Sequence, residues 1–353
     1  MAAHKKPIPR RTGWAKKLPG VKNAVLPPQT TRPNPLVVGE VVFASVFAPG
    51  AVWAVERKTG RPLWMNQLDS FAAPSVSLQG RNLYANSSRT LYALDPDTGN
   101  VRWEFSPISE PGEWIYSSPS VRAGRVFIGD RRGYFHCLAA KTGRKLWFRL
   151  SSKGDNNQVN STALVMSDRV ISANNKGAVV CYSTATGQTI WRQKVDGACT
   201  HELLHLRSTV IVAANSLYAI DLKAGAVCNK WSFPGKKIAS VAVIGSRVAI
   251  ILGTDFQAQA SAWNRPSAFN GDLVILEQDR EIARRTLNGT PSLRASTETD
   301  RLYAVTHSEM NVIDPSDASM LTSRRGQIAL PTISGGQLYG ISVDGVLFSE
   351  PAP

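Results

Sequence analysis

The 353-residue chain is defined first by what it lacks. No apolar run reaches the roughly 18 residues that a membrane-spanning helix needs, so a helical span is excluded. Hydrophobic residues make up 43% and charged residues 19%, a balance too apolar for a disordered protein. The start shows no apolar segment of roughly 7–15 residues behind its basic residues, and no lipid-anchor cysteine near residue 20. As written, the chain is expected in the cytosol, or in the periplasm if a leader has been removed. Its four cysteines, Cys137, Cys181, Cys199 and Cys228, are far apart and form no CxxC pair. With Cys137 and Cys181 inside apolar, strand-like runs, they are expected to be reduced, partly buried thiols more than disulfide or metal partners. GxSxG, GxxxxGK[ST], a helix-opening GxGxxG and CxxCH are all absent, so no serine hydrolase, P-loop, dinucleotide or haem reading has a motif to rest on.

Acidic residues are also scarce, 26 against 41 Lys and Arg, for a net charge of +15. The surplus is unevenly placed. Residues 1–33 carry Lys5, Lys6, Arg10, Arg11, Lys16, Lys17, Lys22 and Arg32 with no acid, which leaves 33 basic against 26 acidic residues in the rest. Over half of the excess therefore belongs to a proline-containing arm, and the body, residues 34–350, is mildly basic. Clustered Lys and Arg could contact phosphates, so nucleic acid or another acidic surface is one expected partner of the arm.

What is abundant is repetition. An apolar strand, a few polar residues, Thr-Gly, three residues and a Trp recur at Thr59-Gly60/Trp64, Thr98-Gly99/Trp103, Thr142-Gly143/Trp147 and Thr186-Gly187/Trp191. A fifth copy, Ala224-Gly225/Trp231, reads as stretched by two residues, and weaker copies follow at Leu273–Leu276 and Met310–Asp314. Thr-Gly marks a tight turn in which Gly takes the positive φ that a Cβ penalises. The flanking segments are β-branched and aromatic, as strands are. Two further strand signals precede each turn, giving about four strands per unit of about 40 residues, the period of a propeller blade. The recurring Trp64, Trp103, Trp147, Trp191 and Trp231 are expected to wedge between neighbouring blades.

The AxDxxTGxxxW signature resembles the quinoprotein-type (PQQ-like) propeller repeat over roughly residues 34–350. Seven fourth strands can be counted, and the tail, Ile328–Ser334, Gln337–Ser342 and Val346–Ser349, supplies three more strands. The expected fold is an all-β, eight-bladed propeller of four-stranded antiparallel blades. Its last blade would be completed by the N-terminal segment, around Thr12-Gly13-Trp14 or Val21–Leu26, which removes a bare sheet edge. The resemblance implies quinone dehydrogenases on one side and, on the other, the non-catalytic propeller lipoproteins of outer-membrane β-barrel assembly (BamB-type). The dehydrogenases are longer and carry adjacent cysteines beneath the quinone, and no Cys-Cys pair exists here. The expectation is a non-enzymatic interaction scaffold without a cofactor, with other proteins as partners.

One motif points elsewhere. His201-Glu202-Leu203-Leu204-His205 satisfies H-E-x-x-H, a zinc-protease pattern that requires a helix. Comparison with the other repeats puts the segment on an innermost strand, where Glu202 would face away from both histidines. Cys199, His201 and His205 would then share one face and are weak candidates for metal ligation or for lining the channel, which could also take a small ligand such as a sugar.

Loop lengths suggest where partners bind. With strands A to D running outward, A–B and C–D turns share one end of the ring, and B–C and D–A connections share the other. The long connections, Pro107–Ser117, Ser151–Gln158 and Thr254–Gly271, all fall in the second group. They carry Trp114, Tyr116, Phe256, Trp263, Arg265 and Phe269, residue types that concentrate binding energy.

Overall fold

The computed structural model describes residues 13–21, 34–71, 75–107, 115, 117–154, 157–254, 270–288, 292–306, 309–325, 331–342 and 344–353. Within them every regular element is a strand, and the strands form eight separate four-stranded antiparallel sheets. The innermost strands of neighbouring sheets touch one another around the ring, so the sheets are the eight blades of a β-propeller.

Strand B of each blade is an apolar run buried along almost its whole length, as in Val41–Val46 and Arg125–Gly129, because blades pack on both of its faces. The outermost strands, such as Pro62–Gln67 and Val101–Phe105, alternate between exposed and half-buried positions. The apolar interior divides into eight clusters, and each spans one joint between consecutive blades. Stability is thus distributed around the ring.

At four joints the repeat tryptophan makes the same contact. Trp64, Trp103, Trp147 and Trp191 donate their indole N–H to the carbonyls of Pro96, Ala140, Thr184 and Leu222 in the next blade, at 2.9–3.0 Å. Each ring lies against the glycine of the next blade's C–D turn, Gly99, Gly143, Gly187 or Gly225. At Gly143, with φ +70°, a Cβ would sit 2.7 Å from the Trp103 ring, so the turn needs Gly for its backbone and for its partner alike.

The N-terminal segment closes the circle. Trp14–Lys17 pairs with the last strand in the register Trp14↔Ser349 to Lys17↔Val346 and becomes the outermost strand of blade eight. Trp14 repeats the wedge contact on blade one: its N–H meets the Arg57 carbonyl at 2.8 Å, and a Cβ at Gly60 would stand 2.3 Å from its ring. Arg57 in turn donates to the Tyr339 hydroxyl and to the Ser334 carbonyl, each at 2.8 Å, across the same joint. Of the two segments proposed for closure, the one around Trp14 provides the strand.

Trp231 packs at a blade joint as expected, but at a different register position. Ala219 pairs with Asn229, whereas the corresponding Cys137 and Cys181 pair with Trp147 and Trp191. Asn229 therefore occupies the wedge position, and its side-chain amide reaches Asp279 of blade six at 2.6 Å. Trp231 stands two residues further along the same face. It packs at the joint of blades five and six with a buried N–H that has no partner. The apparent two-residue stretch is a substitution, not an insertion, and the strand's period of two hides it.

Candidate functional site: the long-loop end of the ring

The long connections fall where the topology requires. Two run from strand D to the next strand A, between Phe105 and Ser120 and between Leu150 and Leu164, and the third joins strands B and C of blade six, between Gly253 and Gly271. All three emerge at one end. Trp114, Tyr116, Phe256, Trp263, Arg265 and Phe269 lie outside the described residues, as do Lys5, Lys6, Arg10 and Arg11. Ile115 is buried and its N–H meets the Ser88 carbonyl at 2.8 Å, which anchors the first connection to blade two.

At this end the structure shows a feature not singled out from sequence. Phe47, in the B–C turn of blade one, stacks on Phe71, in the following D–A connection, with ring centroids 4.8 Å apart and planes at 24°. Phe71 is 48% exposed. Local backbone bonding fixes the pair: Leu68 N–H donates to the Gly50 carbonyl and Ser88 N–H to the Phe71 carbonyl, at 2.9 and 2.7 Å. Gly50, φ +87°, lies so close to the Ser70 carbonyl that no Cβ fits. Two turns 24 residues apart thus present one rigid aromatic surface. At the same end the B–C turns of blades two and three expose Arg89, Arg131 and Arg132, and the D–A connection after blade three exposes Lys153. Of the arm's basic residues, Lys16 and Lys17 are exposed on the closing strand, with Lys17 bonded to Asp344.

The H-E-x-x-H segment is corrected in detail. Strand A of blade five begins only at Leu204, so Cys199, His201 and Glu202 lie in the connection before it. The backbone there is committed to blade four: Cys199 N–H donates to the Asn174 carbonyl and Leu203 N–H to the Thr162 carbonyl, both at 3.1 Å. Cys199 is buried, and burial pushes its thiol up to about 12. His201 meets the Ala239 carbonyl through Nε2 at 3.2 Å, and desolvation holds its imidazole below the ordinary value, so Nε2 carries the proton of a neutral ring. His205 alone is on the strand, exposed. Among the described residues no three His, Cys, Asp or Glu side chains converge on a metal position. Cys137 and Cys181 are buried in strand C of blades three and four, and burial pushes both thiols up to about 12.

A ring of eight four-stranded blades with Trp-on-Gly joints defines a PQQ-like propeller. The family model described as outer membrane protein assembly factor BamB matches residues 11–157 and 132–349, and the chain belongs to that family. It is 26% identical over 114 residues to an outer membrane protein assembly factor BamB of Legionella pneumophila (strain Paris), covering 32% of this chain and 28% of the relative. It is 28% identical over 167 residues to a polyvinylalcohol dehydrogenase of a Pseudomonas species, covering 40% and 25%. These alignments span under a third of either relative's length. The crystal structure of BamB from Moraxella catarrhalis superposes with a TM-score of 0.57 at 19% identity, over 89% of this chain and 80% of that one. Its sequence relatives thus include proteins named as an assembly factor and as a dehydrogenase. No two cysteines are adjacent in the sequence, and no cluster of three or more His, Cys, Asp or Glu side chains forms among the described residues.

Proposed function

We propose that the protein is a non-catalytic docking scaffold of the outer-membrane assembly type, which seats partner proteins on the long-loop end of the ring. The observation that carries this reading is the exposed Phe47–Phe71 stack, held by turn hydrogen bonds on a rigid blade. Rigid aromatic surface costs little entropy on binding and is typical of interface anchors. The basic rim of Arg89, Arg131, Arg132 and Lys153 suits a partner that flanks its apolar contact with acidic residues. The long connections with Trp114, Tyr116, Phe256, Trp263, Arg265 and Phe269 belong to the same end of the topology and are part of the proposed surface. A periplasmic address follows from this reading in preference to the cytosolic one, since the family is described by outer-membrane protein assembly.

Photo-crosslinking in the native host tests it, with the reactive residue placed at Phe71 or, as control, at Lys58 on the opposite end of the ring. Defined partner bands should arise from position 71 and vanish in a Phe47→Ser background. Equal bands from both positions, or bands unaffected by that change, would sink the reading.

A further inference from the structure

We propose that the central channel holds a binding site for a small zwitterion between Glu202 of blade five and Arg294 of blade seven. This is separate from the docking surface and does not rest on it. The innermost strands follow a composition rule that these two residues break. At the register position of Glu202 the other described blades carry Asn34, Ser75, Ser118, Thr162, Ser240 and Ser292, all small, polar and uncharged. At the position of Arg294 the other seven blades carry only leucine, alanine, serine or threonine.

The segments that carry the two charges both dock on blade six. His201, next to Glu202, donates to the Ala239 carbonyl at 3.2 Å, and Leu293 N–H, next to Arg294, donates to the Ser240 hydroxyl at 2.9 Å. The two residues therefore bracket successive positions of one strand, Lys237–Ile244. There the ladder slips between Ile238 and Ser240, leaving Ala239 as an extra residue in a β-bulge. Bulges redirect the chain locally and are enriched beside functional sites.

Among the described residues neither Glu202 nor Arg294 has a hydrogen-bond or ion-pair partner, although the Arg294 charge acts on the Glu202 carboxyl. Desolvation outweighs that help and pushes the carboxyl above its ordinary range. The Nδ1 of His201 is a buried acceptor, also without a partner. An unpaired carboxylate in a confined space is unfavourable and is a common mark of a ligand position. One negative and one positive group held apart match a ligand that carries an ammonium for Glu202 and a carboxylate for the guanidinium fork of Arg294.

The test is titration calorimetry with saturation-transfer NMR on the full chain, using glycine, γ-aminobutyrate and ε-aminocaproate, with acetate and ethylamine as single-charge controls. At least one zwitterion should bind more tightly than either control, and Glu202→Gln and Arg294→Gln should each weaken it about tenfold or more. Melting curves establish that each variant is folded, and Arg294→Lys, which keeps the charge but loses the fork, replaces Arg294→Gln if the latter is not. Binding of no zwitterion, binding of acetate or ethylamine as tightly as the zwitterions, or unchanged binding in the variants would overturn the site.

Discussion

Trp103 and Trp231 occupy the same kind of joint but differ in what the indole N–H meets. Trp103 donates to the Ala140 carbonyl, while the Trp231 N–H is buried without a partner. Substitution by Phe preserves most of the apolar contact and removes only the donor. Trp103→Phe should cost about 1 kcal/mol in urea unfolding, and Trp231→Phe should be neutral or stabilising, because it removes an unmet donor. A second residue-level prediction concerns acid. The Glu202 carboxyl is raised in the folded state, chiefly by desolvation, so its contribution is fully present below the unfolded value of about 4.5 and is lost as pH rises through the folded value. Glu202→Gln should therefore raise the melting temperature at pH 7 and leave it unchanged near pH 3. A uniform shift at both pH values would contradict this assignment.

Among the elements, the closing strand Trp14–Lys17 is the shortest outermost strand, yet it completes the joint of blades eight and one. Removal of residues 1–12 should leave the melting temperature within a few degrees of wild type. Removal of residues 1–21 takes away the Trp14 wedge, Leu18 and Val21 and exposes the edge of Val346–Pro351, so it should lower the melting temperature and promote aggregation. The arm's other reading, attraction to an acidic surface, predicts retention on heparin that falls steeply between low and moderate salt and is lost in the shorter deletion. Much at this scale was legible in the sequence, because Thr-Gly turns and period-two strands are local signals. Trp231 was misread because a two-residue offset keeps a side chain on the same strand face. The start of blade five's inner strand was misplaced because backbone bonds to Asn174 and Thr162, which no local pattern encodes, end the ladder at Leu204. The Phe47–Phe71 pair was missed for a similar reason: each phenylalanine is unremarkable in its own turn, and only the approach of Gly50 to Ser70 brings them together.

At the scale of the whole molecule, the ring has no privileged starting blade, since every joint holds a cluster of its own. The covalent break falls in blade eight, between its last strand, ending at Pro351, and the closing strand, beginning at Trp14. Joining the termini with a short loop and reopening the chain within Ser151–Gln158 should yield a circular permutant with the native circular dichroism spectrum and a melting temperature close to wild type. Failure to fold would show that the order of synthesis matters to the final state.

The pairing of Trp14 with Ser349 also sets a timetable. A chain made from its N-terminus cannot complete blade eight until Val346–Pro351 has been added. Until that strand is made the first strand waits for a partner, and the blades already folded stand as an open stack with two bare ends. Contacts of such sequence separation form late and expose unpaired edges while they wait. The most aggregation-prone state of this fold is therefore the open ring, before Trp14–Lys17 pairs with Val346–Pro351, when a chaperone that covers β-edges would protect it most.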